Sequence, residues 1–106
     1  MAQANNNGNN NSIADYNGAQ LANKLAKKMK DTLDLSSQQR QQIKTINLQL
    51  HNQKMALRNQ YTGQDSVLRV KTQQVENTRD SLYKPILGAQ KYTLYRQKKI
   101  NLLRMN

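Results

Sequence analysis

The sequence predicts an all-α protein, a single four-helix chain with one short and three longer helices, and three observations carry that prediction. Apolar residues recur at spacings of three, four and seven from about residue 18 to 104. Helix punctuation separates these runs at Ser36, at Thr62-Gly63 and at Pro85. No stretch alternates apolar and polar residues as a strand would. A chain of 106 residues is one domain at most. With 36% hydrophobic residues and no Phe or Trp, burial rests on Leu, Ile, Val, Met, Ala and five tyrosines. Such a core is marginal alone, and pairing with a second copy would bury more.

Residues 1–17 are Asn-rich with little to bury and read as a disordered tail, leaving residues 18–106 as the helical domain. Ala22, Leu25, Ala26, Met29 and Leu33 then outline a short amphipathic helix over about 18–34. Leu35-Ser36-Ser37-Gln38-Gln39 follows. Ser36 is an N-cap whose hydroxyl can accept an orphan backbone amide, and Gln39 can reach back to the Ser36 amide, forming a capping box. Ile43, Ile46, Leu50, Leu57 and Tyr61 share one arc of the next helix, over about 37–61.

A third helix is expected from Asp65-Ser66, with Leu68, Val75 and Leu82 at intervals of seven. Asp65 with Arg69, and Asp80 with Lys84, would add i,i+4 support. Pro85 should end this helix near Tyr83 or Lys84. Ile86-Leu87-Gly88-Ala89-Gln90 then opens a fourth helix, with Gly88 and Gln90 read as N-cap and N3.

Seventeen Lys and Arg against six acids give a net charge of +11, which favours anionic or acid-rich partners. Cysteine is absent, so disulfides, thiol chemistry and Cys-type zinc sites are excluded. No apolar run approaches the roughly 20 residues that span a bilayer. The opening MAQANNNGNNN reads equally as a natural start or as a mature chain whose secretory signal was removed and Met1 added.

Catalysis has little to work with: one histidine, His51, no local carboxylate pair and no glycine-rich phosphate loop. No enzyme activity, metal or cofactor is expected, since one His and four scattered Met make no metal cluster.

The second helix is more informative. Arg40, Lys44, Asn47, His51, Lys54 and Arg58 fall on one stripe, with no acid between residues 35 and 64 to neutralise it. Leu48 and Met55 border it on the side away from the main apolar arc. Arg40, Lys44, Leu48, His51, Lys54, Met55 and Arg58 are therefore the candidate binding residues, the alternative being a solvated charged face. From Ser81 onward there are six basic residues and no acid, and the last helix carries two apolar faces, suited to its own subunit and a partner or, equally, to loose packing at a frayed end.

Two LTxxQ-like motifs, each opening a helix in a small basic chain, resemble the Spy/CpxP family of bacterial periplasmic stress proteins. Leu35, Ser36 and Gln39 match the first motif, with Ser for Thr. Leu87 and Gln90 match the second, where Gly88 stands in place of the hydroxyl and cannot form the reciprocal box.

The resemblance covers about residues 20–104. It implies a cradle-like antiparallel homodimer in the periplasm, its signal peptide removed, that holds unfolded or acidic client proteins without ATP on a basic face with apolar neighbours. CpxP-type relatives instead damp an envelope-stress sensor, and that is the alternative expectation. Nucleic acid is not expected, because the basic residues are spread over every helix and no DNA- or RNA-binding motif occurs.

Overall fold

The computed structural model describes the backbone of residues 9–104 and the side chains of residues 18–104. Four helical segments follow in order: α1 (Asn9–Leu33), α2 (Ser37–Gln60), α3 (Asp65–Asn77) and α4 (Arg79–Leu103). No strand occurs among the described residues, as the apolar spacing predicts.

The helix expected from residue 18 begins at Asn9, so the tail expected over residues 1–17 is helical in its second half. Elongation adds a hydrogen bond per residue without a new nucleus, which outweighs the weak propensity of Asn. Residues 1–8 of that tail lie outside the described residues.

α1 stops at Asp34, which takes a left-handed conformation (φ 57°). The Leu35 amide then bonds the Lys30 carbonyl at 3.1 Å, the six-to-one contact of a Schellman turn, and Leu35 drops into the core near Met29. Ser36 caps α2 as expected: its hydroxyl accepts from the Gln39 amide at 3.0 Å, and the Ser36 amide donates to Gln39 Oε1 at 2.9 Å. This tight turn lays α1 antiparallel on α2. Gly18, Ala22 and Ala26, four residues apart, line the contact, and the His51 ring fills the space beside Gly18, where a Cβ would lie 2.5 Å from His51 Cδ2.

Pro85 does not end a helix. The break comes earlier, at Thr78, whose hydroxyl donates to the Val75 carbonyl at 2.7 Å and competes with the helical ladder. α4 then runs through Pro85; Ser81 and Pro85 are both exposed, so the carbonyl that loses its donor lies on the solvent side. The sharp turn is at Gly88 (φ 78°, ψ 167°). Beyond it the chain folds back, bringing the Tyr95 ring edge-on to Tyr83 with centroids 5.2 Å apart. No atom would meet a Cβ at Gly88, so the positive φ alone demands glycine there.

The core gathers Leu25, Ala26, Met29, Leu33 and Leu35 with Ile43, Tyr83, Leu87, Tyr95 and Leu102. α3 contributes no fully buried residue. Two lysines tie helix ends together. Lys28 of α1 donates to the carbonyls of Asn101 and Arg104 at 2.7 and 3.2 Å, capping the C-terminus of α4. Lys91 of α4 donates to the Asp34 carbonyl at 2.5 Å, at the end of α1.

Candidate functional site

The two motifs meet in space. Leu35 and Leu87 share the core, and Gln39 Nε2 donates to the Ile86 carbonyl at 3.0 Å. The second motif departs from its expected register. With Gly88 as the non-helical residue, the third position after it is Lys91, not Gln90, and Gln90 is exposed. Lys91 rather than a glutamine reaches across, to the Asp34 carbonyl and, at 3.5 Å, to Gln39 Oε1.

The basic stripe of α2 is largely drawn into the fold. Arg40 is half-buried and donates through Nη2 to Asn23 Oδ1 of α1 at 2.7 Å; its Nε is enclosed with no hydrogen-bond partner among the described residues. Asn47, which was expected on the stripe, is only 5% exposed. Its amide donates to the Ala22 carbonyl at 3.2 Å, and its Oδ1 accepts from Arg79 Nη1 at 3.0 Å and from the Tyr83 hydroxyl. His51 is half-buried against Gly18.

Lys54 forms an ion pair with Glu76 of α3, which overturns the expectation that nothing nearby neutralises the stripe. A window along the chain cannot see an acid that packing delivers from another helix. Lys44, Leu48 and Met55 remain half-buried at the outer edge of α2, and Arg58 is exposed.

The polar centre is therefore a network that sequence reading missed. Glu76 accepts from Lys54 and from Arg79, and Arg79, 8% exposed, also donates to the Tyr83 hydroxyl at 2.7 Å. Burial raises the Glu76 pKa, but hydrogen bonds from Arg79 and Lys54 outweigh it, and the carboxyl lies below its ordinary value. Burial opposes the charge on Arg79, yet Glu76 and Tyr83 hold its pKa above the ordinary one. Burial pushes the Tyr83 phenol up to about 12, against the pull of Arg79.

Asp80 forms a second centre. It accepts from the Tyr95 hydroxyl at 2.8 Å and from Lys99 at 2.9 Å, both from beyond the Gly88 turn. Burial raises its pKa, and Lys99 and Tyr95 more than reverse that. The expected Asp80–Lys84 pair is replaced by these contacts; the Lys84 ammonium sits over the Tyr92 ring, 5.6 Å from its centroid. Asp65 and Arg69 likewise form no ion pair among the described residues. The i,i+3 and i,i+4 spacings of Glu76, Arg79 and Tyr83 were the one signal that could have flagged this network.

Two concavities flank it. An open groove of about 590 Å³ runs between α2 and α3, with Leu57, Val75 and Leu82 in its lining and Gln53, Gln74 and Lys71 beside them. A smaller crevice of about 390 Å³ opens where α1, α2 and the end of α4 converge on Arg79. Among the described residues no three His, Cys, Asp or Glu side chains gather to hold a metal, and no described helix is long and apolar enough to cross a membrane.

Comparison with known proteins returns no matching family model, curated protein or solved structure. Fold and site together define a class: a small, strongly basic all-α protein with an open, apolar-floored groove.

Proposed function

We propose that the protein is an ATP-independent, chaperone-like binder of unfolded or partly folded proteins, of the LTxxQ type, working in the periplasm as a homodimer. The observation that carries this reading is the groove between α2 and α3. Leu57, Val75 and Leu82 give it an apolar floor, its walls are mostly uncharged, and the chain around it carries a charge of +11. Long-range attraction would gather acidic clients, and an open apolar surface would hold them without enclosing them. Shallow contacts suit a binder that uses no ATP, since the client must be able to leave.

The binding surface on this reading comprises the groove with the outward part of the stripe: Lys44, Leu48, Met55 and Arg58. Arg40 and His51 pack against α1 and Lys54 pairs with Glu76, so these three stand outside that surface. The test is suppression of aggregation of a chemically unfolded acidic protein, without ATP, at low and high salt. Protection that weakens with salt is expected, and Lys44→Gln, Arg58→Gln and Lys71→Gln combined should reduce it while the helix content stays unchanged. A folded protein that gives no protection at either salt overturns the reading and moves a stress-sensor partner ahead. Sedimentation equilibrium checks the dimer.

A further inference from the structure

The crevice beside Arg79 differs in chemistry from the groove. Part of its lining is aliphatic, Leu21, Leu25 and Leu103, with the His51 ring beside them. Leu21, in the lining of the crevice, is 47% exposed, so apolar surface there is open to a ligand. The opposite wall is cationic, because Lys54 and Arg79 share the single carboxylate of Glu76. Arg79 spends four of its five donors on Glu76, Asn47 and Tyr83. Lys54 spends one of three on Glu76, and its side chain keeps a third of its surface open. The local sum is one uncompensated positive charge facing an aliphatic wall across a space of about 390 Å³, within the size range of small-molecule sites.

From this we infer that the crevice binds an aliphatic carboxylate, a medium-chain fatty acid anion, with its head on Lys54 and its chain along Leu21, Leu25 and Leu103. The excess charge selects an anion, since a cation would meet Lys54 and Arg79 with no acid left to pair with it. The aliphatic wall selects a chain over a small inorganic anion, which would leave Leu21 in water. The site is independent of the α2–α3 groove and of the client-binding reading: it shares no lining residue with the groove.

The experiment titrates the full chain with decanoate, decylamine and acetate, below micelle formation, by calorimetry and by amide chemical shifts. Decanoate is expected to bind saturably at one site per chain, with shifts at Ala22, Leu25, Asn47 and Leu103. Acetate and decylamine should give no saturable binding. Leu21→Gln, a change at an exposed position, should weaken decanoate about fivefold. Lys54→Met should weaken it about tenfold or more, with circular dichroism to confirm the fold. Equal binding of decylamine, or shifts confined to Leu57, Val75 and Leu82, overturns the proposal.

Discussion

Gln39 and Ile86 stand far apart in the chain, yet the Gln39 side-chain amide donates to the Ile86 carbonyl at 3.0 Å while its Oε1 closes the α2 capping box. One side chain thus sets the start of α2 and holds the segment that leads into the Gly88 turn. Gln39→Ala should cost about 2 kcal/mol, and Ser36→Ala about 1 kcal/mol, because the first loses a cap and a tertiary bond and the second a cap only. Urea unfolding measures both. Amide exchange near Ala89 should quicken in the Gln39 variant alone.

Asn47 is the hub between α1, α2 and α4, so removing it leaves buried donors of Arg79 and Tyr83 without their acceptor. Asn47→Ala is expected to destabilise by about 2–3 kcal/mol, against less than about 1 kcal/mol for Lys44→Ala, where no buried partner is orphaned. A variant as stable as the parent would show that the network contributes nothing.

Backbone strain gives a pair of opposite outcomes. Asp34 is the one described non-glycine residue with positive φ, and its carboxylate stands at the C-terminus of α1, where negative charge is unfavourable. Asp34→Gly should stabilise by up to about 1 kcal/mol. Gly88→Ala forces a Cβ into a conformation (φ 78°, ψ 167°) that is almost exclusive to glycine and should destabilise by at least about 1 kcal/mol. Thermal melts with opposite shifts for the two variants check both.

Acid should loosen the protein through Glu76 and Asp80. Both have folded pKa values below their ordinary 4.5 and 3.8, so folding favours the charged form. Their contribution is present above the unfolded values and is lost as pH falls through the folded ones. Tyr83 works from the other side: raised to about 12 from 10.0, it supports folding below pH 10 and loses that support as pH climbs towards 12. Urea midpoints across pH should fall at both ends. Glu76→Gln should flatten the acid limb and Tyr83→Phe the alkaline one.

His51 and Gly18 test how closely α1 and α2 approach. A Cβ at Gly18 meets the His51 ring, so Gly18→Ala should yield its helix-propensity gain, about 1 kcal/mol, only when His51→Ala has emptied the space. A double-mutant cycle with no coupling would mean the ring simply swings aside.

Much of the fold was readable because it is local. The Ser36–Gln39 box involves atoms within one helical turn, and the faces of α1 and α2 follow from a period of 3.6, so neither needs knowledge of the other helices. Pro85 misled because its cost depends on what surrounds the freed carbonyl, and here that carbonyl lies on the solvent side. The stripe of α2 misled for a similar reason. Its charges are spaced by the helix, but Asn47 is buried and Lys54 is drawn into an ion pair with Glu76 by how α3 and α4 cross it.

The sequence by itself determined a helical, strongly basic chain, its first cap and the faces that enter the core, since backbone hydrogen bonding and apolar burial act residue by residue. Only the tertiary structure decided which cations stay available and which are spent. Six acids serve seventeen bases, and Glu76 and Asp80 each take two, chosen by proximity. Salt screens exposed charges over about 8–10 Å, and a close pair needs its partners within about 4 Å, so those pairs form only once the helices have packed.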